Sequence, residues 1–151
     1  MGRMNFLYPP FDKPEIRRAA RKALSQEATL AALIGNPEYY SICGSFYGCS
    51  SPLASEPDPA FVASGNAEEA KAMLEAAGYD GTPVVILQPT DVVTTSAQPV
   101  VAAQSLRAAG FNVDMQPMDW QTVVTRRASQ EPPASGGWNT VSYTHLRAHE
   151  T

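Results

Sequence analysis

Apolar positions recur along this chain in two rhythms, one helical and one extended. Asp12-Lys13-Pro14-Glu15 has the composition of a helix start, with Pro near the first helical position and an acid in the first turn. Ile16, Ala19, Ala20, Ala23 and Leu24 then share one face, with Arg17, Arg18, Arg21 and Lys22 on the other. Ser25 is placed to cap a second helix, whose apolar residues Ala28, Leu30, Ala31, Leu33 and Ile34 stop at Gly35-Asn36-Pro37. From Asn36 to Gly65 the rhythm lapses. This segment holds Pro37, Pro52, Pro57 and Pro59 and predicts an ordered but irregular surface loop. So long a loop is commonly functional in a compact domain.

Regularity resumes at Asn66-Ala67-Glu68-Glu69, a capping-box-like opening, and Ala70, Met73, Leu74 and Ala77 carry a helix to Gly78. Val84-Val85-Ile86-Leu87 is continuously apolar and mostly β-branched, as in a parallel strand buried on both faces. Thr95 or Ser96 is expected to cap the next helix, with Pro99 in its first turn and Val100, Val101, Ala103, Leu106 and Ala109 before Gly110. Phe111, Val113, Met115 and Pro117 alternate with polar residues, predicting a half-exposed strand. Asp119 caps a last helix, with Trp120, Val123 and Val124 inward and Arg126-Arg127 at its end. Strand, helix, strand in this order predicts an α/β body without internal repeats.

Composition narrows the function. The 151 residues carry 11 Lys+Arg and 15 Asp+Glu, a net charge of −4, and are 44% hydrophobic. That length suits one domain. The acidic balance argues against nucleic acid or an anionic membrane as partner. No apolar run approaches the roughly 20 residues of a membrane-spanning helix, and no signal peptide opens the sequence.

Both histidines, His145 and His149, lie in the last seven residues, at a spacing that would put two imidazoles on one helix face beside Glu150. All eleven residues of Val141-Ser142-Tyr143-Thr144-His145-Leu146-Arg147-Ala148-His149-Glu150-Thr151 resemble a transposase adapter of sequencing libraries translated in frame. Residues 141–151 are accordingly read as a non-native tail and set aside, which removes both histidines and leaves no metal site and no cofactor site.

Without histidine, Ser-His-Asp and Cys-His arrangements cannot be built. Cys43 and Cys49 enclose Gly44-Ser45-Phe46-Tyr47-Gly48; a local disulfide and two unpaired thiols both fit that spacing. Glu68-Glu69 reads as helix N-terminal charge, and the Arg17-Arg18-Arg21-Lys22 cluster as a solvated face with anion binding as the sharper alternative. Gly136-Gly137 follows no strand-to-helix pattern and is no phosphate loop. Tyr39, Tyr40, Phe46 and Tyr47 in one loop, and Trp138 beyond Gly136-Gly137, are either core plugs or a ligand-facing wall.

Taken together, several of these segments point to a family. Arg3-Met4-Asn5, Pro9-Pro10-Phe11-Asp12, Glu15-Ile16-Arg17-Arg18-Ala19, Phe111-Asn112-Val113-Asp114 and Met118-Asp119-Trp120, in that order, resemble the extracellular solute-binding proteins of peptide-type ABC transporters, family 5. Asn66-Ala67-Glu68-Glu69-Ala70-Lys71 and Gly78-Tyr79 resemble the family's segment before its second-lobe sheet. The likeness runs through residues 3–140. It implies part of the C-terminal lobe of a two-lobe, type II periplasmic-binding-protein fold, with Met1 internal to a longer chain.

The resemblance further implies a non-enzymatic protein, monomeric at full length, that delivers a small solute, most often a peptide, to ABC transporter permease subunits. It implies a periplasmic or extracellular setting, which favours a Cys43–Cys49 disulfide. By position, Asn5, Tyr40, Phe46, Tyr47 and Trp138 are the expected ligand-facing residues. Truncation is expected to leave an unpaired sheet edge near Trp138. An α/β enzyme domain or a stand-alone interaction module is the alternative.

Overall fold

The computed structural model describes residues 2–45, 47–56 and 63–142. Its centre is the strand β2 (Val84–Pro89), flanked in parallel by β3 (Val113–Met118) on one side and β4 (Thr140–Ser142) on the other. A short strand β1 (Gly2–Met4) pairs antiparallel with β4, so the sheet order is β1-β4-β2-β3. In register, Ile86 lies opposite Thr140 and Met115, and Met4 opposite Thr140.

The unbroken apolar run of β2 reflects burial on both faces. Val84 and Ile86 pack into one core with Phe11, Ile16, Ala20, Leu74, Leu106 and Phe111. Val85 and Leu87 point the other way, into a second core with Val123, Trp138 and Val141. Strand residues alternate faces, so a strand between two cores needs apolar side chains at every position.

The first core is covered by α1 (Pro14–Ala23), α3 (Ala67–Ala76) and α4 (Val93–Ala108). Lys22 Nζ meets Glu69 Oε2 at 2.9 Å and joins α1 to α3. The second core is covered by α5 (Trp120–Arg126). Between α1 and the loop lies α2 (Gln26–Ile34), which packs along α4 and buries no residue completely. Three expected caps are made: Ser25 Oγ accepts from the Ala28 N–H, Asn66 Oδ1 from Glu69 and Asp119 Oδ1 from Thr122, at 2.9, 3.0 and 2.9 Å.

Two expectations need correction. α4 begins at Val93, a turn before Thr95 and Ser96, with Val92 in the N-cap position and no side-chain cap. The Thr95 and Ser96 N–H groups both donate to the Val92 carbonyl, so the backbone closes that turn unaided. Pro99 therefore lies inside the helix. The strand after Trp138 is no free edge either. It is β4, paired on both sides, and the outer strands are β1 and β3.

The sheet also runs past Thr140. Val141 is fully buried and Ser142 nearly so, both within β4. A strand slot asks of its occupant only backbone pairing and an apolar residue on the core side, and Val-Ser meets both requirements. His145 and His149 lie outside the described residues.

Candidate functional site

Three regions bear on function. The first is the junction of the N-terminal segment with β4. Asn139 has no exposed surface; its Oδ1 accepts the Val85 N–H at 2.8 Å and its Nδ2 donates to the Pro9 carbonyl at 3.1 Å. Asn5 is buried beside it; its Nδ2 donates to the Trp138 carbonyl at 3.1 Å and its Oδ1 accepts the Leu7 N–H at 3.1 Å. Both side-chain amides are committed to the fold. Trp138 is buried, donates Nε1–H to the Arg127 carbonyl at 3.1 Å, and lies under the Arg3 guanidinium, 5.7 Å from the ring centroid. Asn5 and Trp138 thus line one cavity of about 320 Å³.

The second region is the loop after α2. Cys43 and Cys49 form a disulfide, with Cα atoms 5.8 Å apart. The Gln26 side-chain amide grips Cys43 at both backbone groups: Oε1 accepts its N–H at 2.7 Å, and Nε2 donates to its carbonyl at 3.1 Å. Ser45 Oγ accepts the Ser55 N–H at 3.0 Å and ties the far side of the ring. This loop holds apolar side chains in solvent. Tyr39 is 75% exposed and Tyr47 50%, while Tyr40 is half-buried. Neither Tyr40 nor Tyr47 lines the cavity that Asn5 and Trp138 share. Phe46 lies outside the described residues.

The third region escaped the sequence reading. β2 leads through α4 to β3 on one side, and β3 leads through α5 back across β2 to β4 on the other, with α4 and α5 on opposite faces. This reversal is a topological switch point between β2 and β4, and in open α/β sheets ligands sit outside the carboxyl ends of the strands at such a point. Gln88, Thr90, Asp91 and Val93 occupy the carboxyl end of β2 and the turn into α4.

That turn is fixed from neighbouring elements. The Thr90 N–H and Oγ1 reach the Met118 carbonyl at 2.9 and 3.2 Å. Asp91 Oδ1 accepts the Trp120 N–H at 2.8 Å. Gln88 Nε2 donates to the Ser96 carbonyl. Val93 stands 87% exposed on this edge. Nearby, hydrogen bonds from the Thr122 hydroxyl and N–H hold the Asp119 carboxyl below its ordinary range. The strand order that gives this turn its place depends on partners remote in sequence.

A sheet with a reversal of strand order, its inner strand buried on both faces, is an open α/β arrangement wound on both sides. The family model for bacterial extracellular solute-binding proteins, family 5 (middle region), matches residues 1–146, and the chain belongs to this family. A probable peptide ABC transporter periplasmic-binding protein of Sinorhizobium fredii, y4tO, is 36% identical over 138 residues. That alignment takes in 91% of this chain and 26% of the relative.

Solved structures agree on the fold. The substrate-binding protein CtaP of Listeria monocytogenes superposes with a TM-score of 0.78 at 16% identity, over 93% of this chain and 28% of that one. The oligopeptide-binding protein AppA of Bacillus subtilis, solved with a nonapeptide, gives 0.67 at 16% identity, over 93% and 29%. The chain therefore spans between a quarter and a third of the length of these relatives. Among the described residues no helix is long and apolar enough to cross a membrane.

Proposed function

We propose that this chain is part of one lobe, the C-terminal one, of a solute receptor that hands a small solute, of peptide class, to the permease of an ABC importer. The observation that carries the reading is the switch point between β2 and β4. Outside the carboxyl ends of the strands at such a point, a second lobe can close over a bound solute. Val93 supplies exposed apolar surface there, and Asp91 a carboxylate suited to an ammonium group. Tyr40 and Tyr47, with Phe46 between them in sequence, are proposed as an aromatic wall held in place by the disulfide. Asn5 and Trp138 position β4 and its neighbours.

Such a receptor works in the periplasm or outside the cell, where a disulfide persists. It uses binding and lobe closure in place of bond chemistry, acts as a monomer at full length, and needs neither cofactor nor nucleic acid. The proposed lobe comprises residues 1–140, with 141–151 a non-native tail. Half a crevice buries only half a ligand, so affinity depends on the second lobe. Calorimetric titration of the chain with a pool of di- and tripeptides tests this. Millimolar or weaker binding is expected, and micromolar binding by this chain alone would contradict the single-lobe reading.

A further inference from the structure

The two halves of the Cys43–Cys49 disulfide stand in unequal surroundings. Cys49 lies in the exposed run from Tyr47 to Ser50, whereas Cys43 is partly buried. The Gln26 side chain on α2 holds Cys43 by both backbone groups, at 2.7 and 3.1 Å. The ring is short, with a sequence separation of 6, and neither cysteine belongs to either core.

The turns that follow Cys49 are local. The Ser51 N–H donates to the Gly48 carbonyl at 2.8 Å, and the Ala54 N–H to the Ser51 carbonyl at 2.9 Å. Ser45 Oγ accepts the Ser55 N–H at 3.0 Å and closes the base of this stretch. These bonds lie within the loop and do not involve β2 or α4.

In thiol–disulfide exchange a thiolate attacks one sulfur and expels the other, so access helps decide which sulfur is attacked. We propose that this disulfide is a thiol-exchange latch on the loop, opened at Cys49 by a small dithiol. One thiolate of the dithiol attacks Cys49 Sγ, the S–S bond breaks, and Cys43 Sγ leaves as a thiolate that takes a proton from water. The second thiolate of the reagent attacks the mixed disulfide and releases Cys49. The protein thereby gains two electrons and two protons, and the dithiol becomes a cyclic disulfide. Cys43 stays seated on Gln26, while the stretch from Gly48 to Ala54 gains freedom. A ring this short adds little chain entropy to the unfolded state, so both cores outlast its opening. The same loop carries Tyr40 and Tyr47, so opening it would slacken the proposed aromatic wall. That consequence rests on the solute reading; the exchange itself does not.

The test treats the nitrogen-15-labelled chain with dithiothreitol in mildly alkaline buffer without denaturant, followed by iodoacetamide. Mass spectrometry is expected to find both cysteines alkylated, with amide shifts gathered between Tyr40 and Ser55 and the β2 pattern unchanged. An unalkylated pair, or alkylation only with loss of the β2 pattern, would overturn the latch. Single-cysteine variants that keep the β2 pattern locate the entry point. C43S, which leaves Cys49, should form a mixed disulfide with oxidised glutathione several-fold faster than C49S, which leaves Cys43. Equal rates, or a faster C49S, would overturn entry at Cys49.

Discussion

The main-chain N–H of Asn5 donates to the main-chain carbonyl of Asn139 at 2.8 Å, across nearly the whole length of the chain. Around this bond both side chains are spent on backbone groups: Asn139 on Val85 and Pro9, Asn5 on Trp138 and Leu7. The N-terminal segment, the central strand and the start of β4 are thereby fastened at one point. Removal of Asn139 strands a buried N–H and a carbonyl, and each such loss costs about 1–3 kcal/mol. Asn139→Ala should destabilise the chain by about 3 kcal/mol in urea unfolding. A double-mutant cycle with Asn5→Ala should show coupling, because the two residues are in direct contact. Additive losses would mean that the two amides act independently.

Loss of the disulfide should loosen one loop more than the whole. Chain-entropy arguments for so short a ring give about 2 kcal/mol. The double variant C43S/C49S should lose up to that amount, with hydrogen exchange accelerated from Tyr40 to Ser55 and unchanged in β2. Gln26→Ala should reproduce the faster exchange while the disulfide remains, since it frees both backbone groups of Cys43. Protection unchanged in Q26A would show that the disulfide alone sets the loop.

Gly137 has no room for a side chain: a β-carbon there would collide with the Glu131 carbonyl oxygen, a backbone atom that cannot swing aside. Gly137→Ala should cost about 3 kcal/mol by forcing apart the segment that leads into Trp138. Gly48→Ala serves as the control, with nothing within 4 Å of its β-carbon position. Its effect should stay within about 0.5 kcal/mol.

Acid should weaken the cap of α5. Hydrogen bonds from Thr122 lower the Asp119 carboxyl below its ordinary value of 3.8, so the folded state binds this proton less readily than the unfolded chain. The cap's contribution is complete above pH 3.8 and disappears as pH falls through the lower folded-state value. The stability gap between wild type and D119A should therefore narrow between about pH 5 and pH 2. A gap independent of pH would assign the cap to geometry alone. Asp80, lowered by the Thr82 hydroxyl and N–H, adds a contribution of the same sign.

Local chemistry was legible where it is self-contained. The double-sided burial of β2 is written in Val84 to Leu87, and Ser25, Asn66 and Asp119 cap the helices that their spacing announced. The Cys43–Cys49 disulfide fits the exported setting that the family resemblance implied. The start of α4 was misplaced because Val92 and Val93 carry no capping side chain, while the hydroxyls of Thr95 and Ser96 sit inside the first turn. β1 and β4 are three residues each, too short for a periodic signal, and their partners are remote in sequence.

The proposed solute edge was hidden for the same reason. The end of β2 and Thr90-Asp91 carry no motif of their own, and only the strand order places them at a switch point. Asn5 and Trp138 line one cavity, and the Asn5 amide is bonded to the Trp138 carbonyl and the Leu7 N–H.

We propose that solute meets this lobe at the carboxyl edge between β2 and β4. This is tested most directly by nuclear magnetic resonance mapping of the nitrogen-15-labelled chain with di- and tripeptides at millimolar concentration. Weak shifts confined to Gln88–Thr94, Ser142 and the Tyr40–Tyr47 loop are the predicted result, reduced by Val93→Asp. Shifts absent from the β2–α4 turn, or gathered instead around Asn5 and Trp138, would place the solute elsewhere on the lobe.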